Sequence, residues 1–120
     1  MYNILIYKDQ NGKSEIENYM KSLQQKKDKS SIIKFSKITS YMEILSEKGL
    51  AIGTPYIKHL DENIWELRPL RDRILFAYCE NTTFVLLSIF VKRTQKTPKR
   101  EIAKAKKLFK DFKIRSESNE

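Results

Sequence analysis

The chain has 120 residues, 40% of them hydrophobic, enough for one domain around one core. No apolar run approaches the roughly 20 residues that span a bilayer. Residues 1–7 lack the basic start and cleavage site of a secretory signal, and a single cysteine, Cys79, leaves no internal disulfide or thiolate metal cluster to expect. The net charge of +9 is concentrated: residues 92–115 hold 11 Lys/Arg against 2 Asp/Glu, residues 1–91 hold 13 against 11. The expectation is a cytoplasmic protein with a polyanionic partner and no membrane contact. The competing explanation is a solvated lysine-rich helix face without a partner.

Residues 2–7 form an apolar run that predicts a first strand. Ser14 and Glu17 stand at capping-box spacing, and Ile16, Tyr19, Met20 and Leu23 follow at i, i+3, i+4, i+7, the stripe of an amphipathic helix. After a polar turn at 26–29, with Asp28 as N-cap, a longer helix carries Phe35, Ile38, Met42 and Leu45 and stops at Gly49. Beyond the loop at 53–55 the hydrophobic period becomes 2. Strands are expected at 57–60, 64–70, 74–78 and 84–91, with turns at 61–63, 71–72 and 80–83. The run 84–91 is apolar on both faces and predicts a central strand. Thr97 as N-cap and Pro98 at the first helical position open a last helix with Ile102, Ala105, Phe109 and Phe112 inward and its lysines outward. Residues 116–120 are expected to fray. The fold class is α+β, one domain over 1–120 in the order β-α-α-β-β-β-β-α, a curved, mainly antiparallel sheet with its helices on one side.

Gly-rich phosphate loops are absent, and one histidine with one cysteine cannot build a zinc site, so neither metal nor cofactor is expected. Cations on neighbouring strands remain. Alternation in 64–70 places Trp65 and Leu67 under the helices and Glu66 and Arg68 on an open face. The following turn brings Arg73 back on the next strand, and Lys92 and Arg93 emerge where the apolar run 84–91 ends. Arginine offers a planar fork of donors suited to phosphate oxygens, so these side chains suggest a phosphate clamp. Surface ion pairing of each arginine with Glu66, Asp72 or Glu80 is the competing assignment. His59 reads as an exposed strand-end residue, Cys79 as a strand core residue. Tyr56, Phe76 and Tyr78 are either core or base-stacking groups.

Gly53-x-Pro55-x-x-Lys58-x-Leu60, then Trp65-Glu-Leu-Arg68, Arg73-Ile-Leu-Phe76 and Phe90-x-Lys-Arg-Thr-Gln-Lys-Thr-Pro98 before a lysine-rich helix, is a pattern that resembles RelE/HigB-type toxins of bacterial type II toxin–antitoxin pairs, closest to the phage-derived HigB-like branch. The resemblance covers roughly residues 1–115. It implies a RelE-like microbial RNase-type fold, a ribosome-dependent mRNA endonuclease that blocks translation, and mRNA, the ribosome and a helix-turn-helix HigA-type antitoxin as partners. Better-known RelE-type members carry lysines where this chain has Ile64 and Glu66, and a tyrosine in the last helix where this chain has lysine and phenylalanine. RNA supplies its own nucleophile, the 2′-hydroxyl, so the enzyme must position it, stabilise phosphate charge and move two protons. Arg68 and Arg73 are the expected phosphate-stabilising groups, Lys92 the acid for the leaving 5′-oxygen. Glu66 is either the base or the residue that orients Arg68. Lys58, Arg93, Lys96 and Lys99 are the expected RNA contacts. A different class, a non-catalytic superfamily member that binds DNA gyrase or nucleic acid, would provoke a DNA-damage response without mRNA cleavage.

Overall fold

Local signals open and close the helices where the sequence places them. The Ser14 hydroxyl accepts the Glu17 amide at 3.2 Å and starts helix α1, Glu15–Lys26. The Glu17 carboxylate stands 3.8 Å from Lys8 Nζ. Asp28 accepts the Ser31 amide at 3.1 Å and its hydroxyl at 2.7 Å, opening helix α2, Lys29–Lys48, and Gly49, at φ +62, ends it. The structure, a computed structural model, describes residues 1–80 and 82–118, Ser118 by its backbone alone.

A short 3-10 turn, Gly49–Ile52, leads into the sheet: β1 Asn3–Ile6, β2 Ile57–Asp61, β3 Ile64–Leu67, β4 Asp72–Cys79 and β5 Thr83–Val91, followed by α3, Lys99–Ser118. The strand order is β1-β5-β4-β3-β2; β1 runs parallel to β5 and the other pairings are antiparallel. The architecture is therefore α+β with a five-stranded mixed sheet, and β5, flanked by β1 and β4, is central as its two-faced apolarity predicts.

The sheet is covered on both faces, which corrects the expectation of helices on one side. Ile16 and Leu23 of α1 and Ile38 and Leu45 of α2 pack on Leu67, Ile74, Phe76, Phe84 and Leu86. Ala105 and Phe109 of α3 pack on Ile64, Leu75, Ala77, Val85 and Leu87 from the opposite side. The physical reason lies in β4 and β5: both of their faces are apolar, and each fully buried aliphatic or phenyl side chain stabilises by about 1.5–3 kcal/mol only if something covers it. Two helices on one side leave the other row wet, and the apolar stripe of α3 fills it. The two faces also account for Trp65 and Leu67 lying towards α1 and α2.

Several boundaries differ from expectation. β3 ends at Leu67, because Arg68-Pro69-Leu70 turns the chain; the Asp72 amide donates to the Pro69 carbonyl at 3.1 Å and Asp72 already belongs to β4. Thr97 is not the cap of α3. The Ile102 amide donates to the Pro98 carbonyl at 3.4 Å, so the helix starts at Lys99 and the Thr97 hydroxyl is used elsewhere. The helix continues through Ser118, past the expected fraying point at Ser116; residues 119–120 lie outside the described residues. The expected turn over 80–83 includes Asn81, also outside them, and Thr83 is part of β5.

Registers set what meets at the end of the sheet. Glu66 pairs with Lys58 on one side and Leu75 on the other, and Leu75 pairs with Ser88. Arg73 pairs with Phe90. Between these rows, Ser88 opposes Leu75 while Leu86 opposes Phe76, so Leu87 is the extra residue of a β-bulge. Past the end of β1, the Ile89 amide on the edge of β5 donates to Glu15 Oε1 at 3.2 Å, and Lys104 of α3 holds the other Glu15 oxygen at 2.6 Å.

Candidate functional site

At the end of the sheet where β3 leaves and β4 begins, a narrow cleft opens under the segment 92–97. Six cations line it, Lys58, Arg68, Arg73, Lys92, Arg93 and Lys96, against one carboxylate, Glu66. Phe90, Thr94, Gln95 and Thr97 complete the wall. Strand alternation delivers Lys58, Glu66, Arg68 and Arg73 to the face that α3 covers further along, and the segment after β5 brings its cations over them.

Glu66 is the organising residue. It is only 2% exposed, contrary to the open face expected for it, because the segment 92–97 closes over that end of the sheet. One oxygen, Oε1, faces Arg68 Nε at 3.5 Å and Arg73 Nε at 3.8 Å. The other, Oε2, accepts the Thr97 hydroxyl at 2.5 Å. An ionised carboxylate is tolerated at such burial only when it is paired and hydrogen-bonded, and here both oxygens are engaged. The ion pairing that competed with a clamp is thus present, and it is part of the cleft: one carboxylate on β3 holds Arg68, in the turn after that strand, beside Arg73 on β4.

Arg73 is fixed more firmly than Arg68. It is 6% exposed, and its Nη1 donates to the carbonyls of Leu70 and Asp72, both at 2.8 Å. Burial pushes the guanidinium below its ordinary value; the charge of Glu66 opposes that shift and nearby Arg68 adds to it. An arginine remains charged under this pressure, so Arg73 is a cation whose neutralisation is incomplete. Arg68 keeps about a quarter of its side chain in solvent, at 26%. The Lys92 backbone is tied to Arg71 at both ends, amide to Arg71 carbonyl at 2.8 Å and carbonyl to Arg71 Nη2 at 3.1 Å, which sets where the segment 92–97 leaves the sheet.

Of the residues singled out from sequence, Glu66, Arg68, Arg73, Lys92, Lys58, Arg93 and Lys96 come together here; Lys99, exposed on the first turn of α3, is not in the cleft wall. The three candidate stacking aromatics are elsewhere. Tyr56 packs against Tyr41, with ring centroids 5.1 Å apart, Phe76 is core, and Tyr78 stands against Phe84 at 4.8 Å. His59 faces Trp65 and its Nε2 meets the Glu62 carbonyl at 2.7 Å, away from the cations. Cys79 is half-buried at the end of β4, where burial raises its thiol pKa. Sequence reasoning missed Phe90 and Thr97. Strict alternation from Phe84 would put Phe90 on the opposite face, and the bulge at Leu87 brings it beside Arg73; Thr97 resembles a helix cap in a sequence with no structure attached. Among the described residues no cluster of three or more His, Cys, Asp or Glu is arranged to hold a metal, and no helix is long and apolar enough to cross a membrane.

The arrangement can hold one anion with several charged oxygens. Arg68 and Arg73 share Glu66, and the cations of the segment 92–97 line the same cleft. Mutual repulsion among six cations and one carboxylate is relieved by a phosphate, whose charge and acceptor geometry fit guanidinium donors. A comparison with curated proteins returns no match. The sequence profile of the phage-derived Gp49-like proteins matches residues 18–110, which contain most of α1, all of α2, every lining residue of the cleft and most of α3. The chain therefore belongs to the phage-derived Gp49-like family, a family of RelE/toxin-like proteins.

Proposed function

We propose that the protein is the toxin of a type II toxin–antitoxin pair of the HigB/RelE type, a cytoplasmic endoribonuclease that cuts mRNA on the translating ribosome. The observation that carries this reading is a pair of arginines, Arg68 just past the end of β3 and Arg73 on β4, held by one buried carboxylate in a cleft whose other cations have no ion pair among the described residues. In the proposed reaction the RNA 2′-hydroxyl attacks the adjacent phosphorus, and the bond to the 5′-oxygen breaks to leave a 2′,3′-cyclic phosphate. Arg73 and Arg68 stabilise charge on the non-bridging oxygens. Lys92 protonates the leaving oxygen. Lys58, Arg93 and Lys96 hold flanking phosphates, and Phe90 offers an aromatic surface beside them.

Glu66 acts in this scheme by orienting both arginines, since its two oxygens are already occupied. Among the residues lining the cleft no histidine and no second carboxylate is present to accept the 2′-hydroxyl proton. That supports dependence on the ribosome, which would position the substrate and supply the missing acceptor. A helix-turn-helix antitoxin is the partner this reading requires.

Purified protein added to a translating cell extract tests it. The expected outcome is arrested synthesis with mRNA cut inside the coding region, and little cutting of the same RNA without ribosomes. Undiminished synthesis with intact mRNA at toxin stoichiometric with ribosomes removes the reading.

A further inference from the structure

Arg73 also depends on residues that the cleft does not contain. Asp72, its neighbour on β4, turns by strand alternation to the other face of the sheet, towards α1. There the Tyr19 hydroxyl donates to Asp72 Oδ1 at 2.7 Å. Asp72 is 1% exposed, and its Oδ2 is buried with no hydrogen-bond partner among the described residues. The Asp72 backbone meanwhile serves the cleft side. Its carbonyl accepts from Arg73 Nη1 at 2.8 Å, and its amide donates to the Pro69 carbonyl at 3.1 Å.

This turn is costly for the fold alone. A buried carboxylate with one idle oxygen forfeits the hydrogen bonds it makes in water. Two residues earlier, Leu70 stands at φ +57, a left-handed conformation that disfavours a branched aliphatic side chain. Its carbonyl is the other acceptor for Arg73 Nη1, at 2.8 Å. Such costs concentrated at one place point to function, and Arg73 is what they share. Glu66, the one carboxylate of the cleft wall, is divided between Arg68 and Arg73. Burial pushes the Arg73 guanidinium down most; the charge of Glu66 opposes that shift, Arg68 adds to it, and Asp72 opposes it. Asp72 thus supplies negative charge from behind the strand, without occupying the cleft.

We propose that Tyr19 and Asp72 are positioning residues for Arg73: Asp72 is its second counter-charge, Tyr19 anchors that charge across the sheet, and together they set where the guanidinium stands and how strongly it holds a phosphate. Neither residue lines the cleft. Removing the charge and removing the anchor then have opposite effects. Asparagine at position 72 keeps the shape and an acceptor for Tyr19, and it takes a negative charge away from behind a bound anion, which binds more tightly. Phenylalanine at position 19 keeps the charge but frees the carboxylate. A carboxylate without its donor competes for the Arg73 guanidinium and draws it from the cleft, so the anion binds more weakly. The hold on phosphate stands on this geometry alone; its effect on cleavage deepens the proposed function and rests on it.

The probe is inorganic pyrophosphate, titrated calorimetrically into the full chain at low salt, with circular dichroism and thermal melts to confirm folded variants. Asp72→Asn should bind it about threefold or more tightly than the parent and Tyr19→Phe about threefold or more weakly, as expected for one unit charge acting through protein over several ångströms. A purely structural role predicts lower melting temperatures with parental affinity in both. Parental affinity in folded variants, shifts of the same sign, or no binding by the parent chain overturns the proposal. If one variant does not fold, the sign of the shift in the other decides. In mRNA cleavage on ribosomes, Tyr19→Phe should lower the rate at saturating substrate about tenfold, since small displacements of such groups are costly, with a lesser change in the half-saturating concentration. Weakened pyrophosphate binding beside parental cleavage overturns the link to catalysis. A parent protein that cuts no mRNA fails the proposed function and leaves the titration to judge the role of Tyr19 and Asp72.

Discussion

Glu66 decides how the cleft is read at the scale of single residues. A base for the 2′-hydroxyl needs a free oxygen within reach of substrate; Glu66 has both oxygens committed and is 2% exposed. Glu66→Gln keeps the shape but leaves Arg73 buried without its counter-charge. Breaking a buried pair from one side costs about 3 kcal/mol, measurable by urea unfolding. Cleavage should fall but stay above that of Arg73→Ala, since the arginines remain roughly in place. A Glu66→Gln protein that is folded yet as inactive as Arg73→Ala would return the base role to Glu66. Tyr19 gives a second prediction. Its hydroxyl donates to Asp72 Oδ1 at 2.7 Å, and Asp72 Oδ2 is buried without a partner. Tyr19→Phe would strand the whole carboxylate, at a cost of about 1–3 kcal/mol. Burial, reinforced by Asp72, raises the Tyr19 pKa above its ordinary value. The protonated phenol is therefore favoured by folding. That stability is fully present below the ordinary tyrosine value of about 10 and is lost as pH rises above it. Alkaline melts should show a steeper loss for the parent than for Tyr19→Phe; parallel losses would contradict the assignment.

Among the elements, the segment 92–97 matters most because it belongs to no helix or strand and still carries half of the cleft wall. Two Arg71–Lys92 hydrogen bonds, one of them from the Arg71 guanidinium, hold one end and Thr97 the other. Thr97→Val removes the hydroxyl without changing shape. Stability should drop by only about 1 kcal/mol, while cleavage should fall tenfold or more, since a displacement of about 1 Å at such groups can cost about a hundredfold. Thr97→Ser should restore most of it; a Thr97→Val protein with parental cleavage would show that the segment needs no anchor. These elements also mark the limit of what was legible in sequence. Caps at Ser14, Asp28 and Gly49 and the period change after residue 53 are local signals, and the element order follows from them. Glu66, Arg68 and Arg73 were legible because alternation within one strand and a short turn fix which face they share. The side chosen by α3 was not, because an apolar helix stripe does not say which face of a two-sided sheet it covers. Phe90 was hidden by the bulge at Leu87. Thr97 was misassigned because a threonine before proline carries the same local signature whether it caps a helix or bonds a carboxylate 31 positions earlier.

At the scale of the whole molecule, the basic C-terminal excess is less available than a count of charges suggests. Lys104 is paired with Glu15 at 2.6 Å, Lys106 with Asp61 and Glu62, and Arg115 with Asp111 at 2.9 Å. Lys107 and Lys110 remain exposed on α3, outside the cleft, while Lys58, Lys92, Arg93 and Lys96 line the cleft with no ion pair among the described residues, beside the two arginines that share Glu66. Six cations thus stand against one carboxylate in the cleft, while the lysines of α3 are spread along an exposed helix face. Reaction and attraction then separate by mutation. In a translating extract, with mRNA ends mapped and circular dichroism and thermal melts confirming folded proteins, Arg73→Ala should reduce cleavage by about 10²–10³, the usual cost of losing a donor aimed at developing charge. Lys107→Ala and Lys110→Ala should cut mRNA at nearly the parental rate, with a small loss of RNA affinity and a shallower salt dependence. A folded Arg73→Ala protein that cuts mRNA like the parent, beside lysine variants that do not, would place the chemistry outside this cleft.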